Sequence, residues 1–357
     1  MDKRVTIQDI ANELKMSKGT VYRALHDRDD ICAETKRKIL DLINKYNYKP
    51  NKVAKSLSLK NKRFKIGVII YRQPHFYWDS VKRGMDIAAE ELSDFGLEII
   101  YKWIDVSNYA SIIGKMDELL EDSLQAVAIV PLYDTRITER INQFVERGIP
   151  VVTINDDIEE SRRAFYVGPM QKQGGRMAGD LMGKLLMGKG SIIVIKPDIE
   201  SFAHKSRLQG FTEVIGERFP NINIEKDYIF DLNMTDSLKD GIFRDIITHM
   251  RGVRGIYHID GTTLYNIGDI LKDITSDRFI LIGHEMRKEL ELLLAEDVIS
   301  ACISHDTYAQ GYYAIKILFA YLFEGKAPTS EKIYTRTDII MRESIVTKGD
   351  VMSPYYT

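Results

Sequence analysis

From Phe64 onward the chain alternates short apolar runs with amphipathic stretches, and this alternation constrains its fold more than any other feature. The runs Lys65–Tyr71, Leu97–Trp103, Ala126–Val130, Ile149–Ile154, Ser191–Lys196, Val253–His258, Phe279–Gly283 and Ile299–Ser304 are rich in Val, Ile and aromatic residues. Helical patterns lie between them, at Ser80–Asp94, Gln171–Met187, Arg207–Arg218 and Thr307–Glu324. Strands that alternate with helices pair in parallel and are covered on both faces, so their own sequence turns apolar. Eight such runs predict two similar α/β lobes rather than one sheet.

The first sixty residues have a different texture. Ile7–Leu14 places Ile7, Ile10, Ala11 and Leu14 on one helical face, with Thr6 as its N-cap. The turn Lys15-Met16-Ser17 leads into Lys18–His26, which buries Val21, Ala24 and Leu25, and Ser17 caps that second helix. A third helix, Ala33–Tyr46, turns Ile39, Leu42, Ile43 and Tyr46 inward before Pro50 ends it. Two helices joined by so short a turn form a helix-turn-helix, a DNA-reading motif. Charge agrees: residues 1–63 hold 16 Lys+Arg and 8 Asp+Glu, a balance of +8, while the whole chain is at −2. The remaining residues therefore stand at −10, so a basic head precedes an acidic body.

At this point VTIQDIANELKMSKGTVYRALHDRDDICAETKRKILDLINKYNYKPNKVAKSL, from Val5 to Leu57, resembles the headpiece of the LacI/GalR (lac-repressor) family almost without gaps. The resemblance rests on Thr6-Ile7-x-Asp9-Ile10-Ala11, Ser17-x-x-Thr20-Val21-x-Arg23, Thr35-x-x-Lys38-Ile39 and Tyr48-x-Pro50-Asn51-x-Val53-Ala54-x-x-Leu57. It implies that Lys18, Gly19 and Arg23 read bases in the major groove, while Thr6, Ser17, Thr20, Tyr48 and Asn51 contact phosphates. Pro50–Ser58 matches the family's hinge helix, with Val53 and Ala54 packing hinge on hinge and Leu57 wedging into the minor groove. The sequence departs from the family at Lys15, where a turn glycine is usual, and at Gly19, which brings no side chain to a base-reading position.

The resemblance continues less tightly to about Ser344 and implies a periplasmic-binding-protein-like (type I) sensor domain. The expected fold is an all-α helix-turn-helix headpiece (1–50), a hinge helix (51–59) and an α/β two-lobed core (64–348). One lobe is expected to take 64–167 with 301–326, and the other 168–300 with 327–348. Ligands of such folds lie beyond the carboxyl ends of the strands, so candidates follow each strand: Arg72, Phe76, Trp78, Asp134, Asn155, Asp156, Asp260 and His305. Arg207 opens an Arg-Leu-x-Gly-Phe element that the family uses to place an effector-binding arginine, and Glu285 stands in Gly-His-Glu where the family has Gly-Tyr-Asp. Carboxylates, amides and a guanidinium around aromatic faces suit a sugar. The plainer readings are core packing for Phe76 and Trp78, a helix cap or ion pair for Glu285, and a structural partnership for Arg207.

Other classes find little support. The chain contains no G-x-x-x-x-G-K-[ST], G-x-G-x-x-G or G-x-S-x-G, its seven histidines show no metal-ligand spacing, and His284-Glu285 is followed by Lys288 where a zincin helix needs its second His. Neither enzymatic activity, metal nor cofactor is expected. Cys32 and Cys302 stand far apart, as in a reducing compartment, and no apolar run is long enough for a bilayer. The opening MDKRVTIQDIANELK carries charges where an export signal needs an apolar stretch, which argues against a secreted solute-binding protein. The expectation is a cytoplasmic, homodimeric repressor of carbohydrate genes that binds a pseudo-palindromic double-stranded operator and a small sugar. The alternative is the same architecture sensing a purine or other non-sugar metabolite.

Overall fold

The computed structural model describes residues 7–25, 31–46, 63–105, 109–199, 201–231, 234–249, 252–274, 279–325 and 327–345, some of them by backbone alone. It divides into two units, Met1–Asn61 and Lys62–Thr357.

In the first unit, helices Ile7–Glu13, Lys18–Leu25 and Ala33–Lys45 close over Ile10, Ala11, Val21, Ala24 and Ile39. Leu14, Met16, Ile31, Leu42 and Ile43 pack at the edge of this core. Ala11 is fully buried, and the Met16 N–H closes the turn onto the Ala11 carbonyl at 2.9 Å. Lys15 takes φ 51°, the left-handed conformation that its family glycine would adopt freely. A non-glycine residue accepts it at a cost of about 1 kcal/mol. The Tyr46 hydroxyl donates to Glu13 at 2.9 Å and ties the third helix to the first.

The second unit contains two six-stranded sheets. The strands in chain order are β1 (Phe64–Tyr71), β2 (Leu97–Ile104), β3 (Ala126–Ile129), β4 (Val151–Ile154), β5 (Phe165–Pro169), β6 (Lys189–Pro197), β7 (Asn221–Phe230), β8 (Val253–His258), β9 (Ile280–His284), β10 (Ala301–His305), β11 (Lys332–Thr335) and β12 (Thr337–Ile340). One sheet runs β11-β5-β4-β3-β1-β2 and the other β12-β10-β9-β8-β6-β7. Every pairing is parallel except β10 with β12. Each order reverses beside β1 or β6, creating the crevice where ligands of open α/β sheets bind.

The chain passes between lobes after Pro169, after His305 and at Arg336. The expected lobe boundaries need two corrections. Residues 301–305 belong to the second lobe, because Ile303 pairs with His284 of β9; the passage comes only after β10. Residues 332–335 belong to the first lobe, because β11 pairs with β5. After the second passage, helix Thr307–Glu324 packs against helix His75–Glu91. In the second lobe, helices Gln171–Leu185 and Phe202–Arg218 touch backbone to backbone: a Cβ on Gly175 would lie 1.9 Å from the Arg207 carbonyl. Only glycine permits that approach, and it fixes the helix that carries Arg207.

Candidate functional site

A cavity of about 660 Å³ opens at the carboxyl ends of both sheets. The first lobe contributes mostly rings and apolar surface: Tyr71 at the end of β1, Phe76, Tyr77 and Trp78 after it, and Val130, Pro131 and Leu132 after β3. Trp78 lies 5.3 Å from Tyr71 and 4.7 Å from Tyr77, centroid to centroid, so these rings brace one another. The second lobe contributes polar groups: Asp198 after β6, Asp231 after β7, Asp260 after β8, Glu285 after β9, and His204 and Arg207 from helix Phe202–Arg218.

Arg207 and Glu285 form the buried floor. One Arg207 terminal nitrogen donates to Glu285 Oε1 at 2.9 Å and the other to the Ile259 carbonyl at 3.0 Å, while Nε donates to Gln171 Oε1 at 2.8 Å. Gln171 Nε2 donates in turn to the Asn155 carbonyl at 2.9 Å. An unbroken chain of hydrogen bonds thus runs from Asn155 in the first lobe through Gln171 and Arg207 to Glu285 in the second. Burial pushes the Glu285 carboxyl up to about 7, although Arg207 pulls it down. Burial also opposes the charge on Arg207, yet the Glu285 carboxylate keeps that guanidinium more firmly protonated than usual. Asp260 lies 3.5 Å from His204. Burial favours the neutral Asp260 acid, but the His204 contact wins and holds the carboxyl well below its ordinary range.

Further contacts cross from lobe to lobe. Asp156 of the first lobe accepts from Ser201 Oγ at 2.7 Å and from the Ala203 N–H at 3.0 Å, at the start of helix Phe202–Arg218. The Arg287 guanidinium from the second lobe lies 4.7 Å from the Phe76 ring centroid.

Of the residues expected at the effector site, Phe76, Trp78, Asn155, Asp156, Arg207, Asp260 and Glu285 line this cavity. Arg72, Asp134 and His305 are placed elsewhere. Arg72 extends the β1 ladder by donating to the Ile104 carbonyl; strand alternation turns Tyr71 inward and Arg72 outward, 6.0 Å from the Trp103 ring centroid. Asp134 caps helix Thr135–Glu146, accepting from the Arg136 N–H at 2.8 Å and pairing with its guanidinium at 2.7 Å. His305 sits behind Glu285, its Nε2 3.6 Å from the carboxylate. Tyr77, Gln171 and His204 were not anticipated. Tyr77, whose hydroxyl donates to Asn155 Oδ1 at 2.6 Å, stands between two expected ring residues, a signal that could have revealed it.

His284, Glu285 and His305 each bring a ligand atom within 4.8 Å of the others, a grouping that sequence spacing hides because neighbouring parallel strands assemble it. Arg207 already supplies positive charge to Glu285 at 2.9 Å, so a divalent ion would meet a like charge here.

In the first unit, Ser17 Oγ accepts from the Thr20 N–H at 3.1 Å and caps the helix Lys18–Leu25. Lys18 and Gly19 are exposed on its first turn, and the nearest atom to a Cβ built on Gly19 is Ser17 Oγ at 3.6 Å. Thr20 is half-buried, and its hydroxyl lies 2.9 Å from that of Ser17. Arg23 lies on the same helix. Thr6, Tyr48, Asn51, Ala54 and Leu57, and with them the hinge, lie outside the described residues.

Comparison with known proteins places both units. Residues 66–327 match the periplasmic binding protein domain, and residues 6–51 match the bacterial regulatory proteins of the lacI family. Catabolite control protein A of Staphylococcus aureus is 27% identical over 243 residues, covering 67% of this chain and 68% of that protein. The HTH-type transcriptional regulator pepR1 of Lactobacillus delbrueckii subsp. lactis is 27% identical over 260 residues, covering 68% and 72%. Among solved structures, GanP, a glucose-galactose binding protein from Geobacillus stearothermophilus, superposes with a TM-score of 0.72 at 21% identity, covering 80% of this chain and 99% of that one. AraP, an arabinose binding protein from the same species, gives 0.66 at 20% identity, covering 79% and 97%. At these identities the structural likeness establishes the fold alone.

Proposed function

Because the chain belongs to the lacI family of bacterial regulatory proteins, with a periplasmic binding protein domain as its larger part, we propose that it is a cytoplasmic transcription regulator, a repressor whose hold on DNA is set by a small sugar between its lobes. The observation that carries this reading is the two-sided cleft: a wall of rings from one lobe faces the Arg207–Glu285 floor of the other. Rings stack on the apolar face of a sugar, and its hydroxyls pair with carboxylates and guanidinium N–H groups. Among the described residues no helix is long and apolar enough to cross a membrane.

A homodimer would set two recognition helices on the half-sites of a pseudo-palindromic operator. Ser17 and Thr20 would hold phosphates, with Thr6, Tyr48 and Asn51, while Lys18 and Arg23 would read bases and Leu57 the minor groove. A sugar that favours one lobe arrangement shifts operator affinity, and by reciprocity the operator shifts sugar affinity by the same factor. Two measurements test this. Selection of duplex DNA from a random library by the full chain should return two-fold related half-sites, bound orders of magnitude more weakly at 200 than at 50 mM salt. A thermal-shift screen of sugars against nucleobases should give stabilisation by sugars. Selection of no sequence would remove the DNA-binding assignment; stabilisation by nucleobases alone would replace the sugar.

A further inference from the structure

The chain passes between the lobes after Pro169, after His305 and at Arg336, and a ring of buried side chains touches all three passages. It starts at Gln310, beyond the second passage, whose Nε2 donates to the Tyr77 hydroxyl at 3.1 Å. Tyr77 donates to Asn155 Oδ1 at 2.6 Å, and Gln171, which opens the helix after the first passage, donates to the Asn155 carbonyl at 2.9 Å. Arg207 then joins Gln171 to Glu285. From the other side His305, the last residue before the second passage, meets the Thr337 hydroxyl through Nδ1 at 3.2 Å, and Thr337 is the first residue beyond the third. These two residues also face each other across β10 and β12. One link in the ring is open. His305 Nε2 lies 3.6 Å from the Glu285 carboxylate and is a buried nitrogen with no hydrogen-bond partner among the described residues.

We propose that His305 is the positioning residue through which the effector floor governs the angle between the lobes; this rests on the reading of the cleft as an effector site. Burial keeps the imidazole neutral, so one ring nitrogen donates and the other accepts. With the Thr337 hydroxyl donating to Nδ1, Nε2 carries the proton and aims it at Glu285. The open link stands just outside hydrogen-bond range, and a shift of about 0.5 Å closes it. Glu285 lines the cleft and His305 does not. An effector hydroxyl that donates to Glu285 therefore moves the carboxylate relative to Nε2 without touching His305. The imidazole is fully buried, with His284 at 5.8 Å centroid to centroid, so it cannot swing alone. What moves with it is the end of β10 and the start of β12, held together where two passages leave the lobe; there the Asp306 N–H also donates to the Arg336 carbonyl at 3.1 Å.

The test cuts the relay at its hinge end, where Thr337 is half-buried and outside the cleft lining, so that Thr337→Val folds and leaves the floor intact. Full-length parent, Thr337→Val, Thr337→Ser and His305→Asn are each titrated with the selected operator, with and without a saturating mixture of D-glucose, D-galactose, D-ribose and D-xylose. Melting temperature reports sugar binding separately. Thr337→Val should bind the sugar as the parent does, yet the sugar-driven change in operator affinity should shrink by about fivefold or more, the size of an ordinary coupling between sites. Thr337→Ser keeps the hydroxyl and should respond like the parent. His305→Asn keeps a partner for Thr337 but loses Nε2, and should respond like Thr337→Val. A parental response in Thr337→Val overturns the relay while the effector reading stands. Loss of sugar binding in that variant also overturns it, because Thr337 would then serve the floor directly. If the sugars leave even the parent unmoved, the effector reading fails and the relay falls with it.

Discussion

Read inward from β2, one sheet runs β2-β1-β3-β4-β5-β11; read inward from β7, the other runs β7-β6-β8-β9-β10-β12, strand for strand the same pattern. Asn155 follows β4 and Glu285 follows β9, the corresponding strand, and both residues take φ 63°. Both line the cleft. Left-handed backbone suits Asn, whose short amide side chain tolerates it, but strains Glu. The shared backbone is thus a property of the fold, while the residue placed on it sets the chemistry. In the first lobe it offers an amide beside a tyrosine. In the second it holds a carboxylate against a buried arginine, and the strain is retained where the surrounding contacts fix the geometry.

The largest test of this asymmetry removes one partner from each lobe. Arg207→Ala strands the Glu285 carboxylate in the interior, which costs about 3–5 kcal/mol of sensor stability. Tyr77→Phe on the other side forfeits a neutral hydrogen bond, about 1 kcal/mol. Urea unfolding midpoints should separate the two clearly, and sugar affinity should fall further for Arg207→Ala. Equal losses would mean that the two sides contribute alike, and the asymmetry would fail.

Acidity gives the next test. The Glu285 carboxyl, ordinarily at 4.5, is raised in the fold to about 7, so its contribution to stability is fully present below 4.5 and is lost as pH rises through 7. His258 runs the other way: burial lowers it from 6.5 to about 4, so its contribution is present above 6.5 and is lost as pH falls through 4. Burial likewise holds His284 and His305 well below the ordinary histidine range. The Glu285→Gln variant isolates the carboxylate. Its stability relative to the parent should increase between pH 4.5 and 7; a flat difference would show that Glu285 stays ionised throughout. A smaller effect is expected at Asp156→Asn. It weakens the contacts to Ser201 and Ala203 by about 1 kcal/mol and should enlarge the radius of gyration by opening the lobes. An unchanged radius with unchanged sugar affinity would remove Asp156 from lobe closure.

The parts of the molecule that were legible in the sequence share a cause. Central strands such as β1 and β3 are buried on both faces, so apart from Lys65 near the start of β1 their residues are apolar, and the parallel two-lobed architecture followed from them. Four strands were not anticipated: β7, β11 and β12, edge strands that carry mixed polar sequence, and the buried β5, whose five residues Phe165–Pro169 end in Gly-Pro, a turn signal rather than a strand one. At the site, Arg207 and Glu285 were reached through the family motif, and Asn155 and Asp156 through their place after a strand. Asp134 satisfied the same rule and proved to be a helix cap, because Asp just before Thr135-Arg136 serves the helix N-terminus first. Gln171 was overlooked for a different reason. It opens a helix in the other lobe, and only the passage of the chain after Pro169 sets it between Asn155 and Arg207. No local pattern encodes that position.

The smallest expected effect isolates the strain itself. At a left-handed position a residue with a Cβ is destabilised relative to Gly by about 1 kcal/mol, whatever contacts its side chain makes. Glu285→Ala and Glu285→Gly both lose the Arg207 pair, so that large cost cancels between them. The Gly variant should be more stable by about 1 kcal/mol. The same comparison at the corresponding position, Asn155→Ala against Asn155→Gly, should return the same difference, although the parent side chains share no chemistry. Denaturant midpoints with a common slope would measure both. Matching differences would place the strain in the paired topology of the lobes. A difference at Asn155 with none at Glu285 would mean that the Arg207 pair imposes the φ of Glu285, which relaxes once the carboxylate is gone. The hydrogen-bond chain through Gln171 would then be setting the backbone, rather than decorating a conformation the fold already requires.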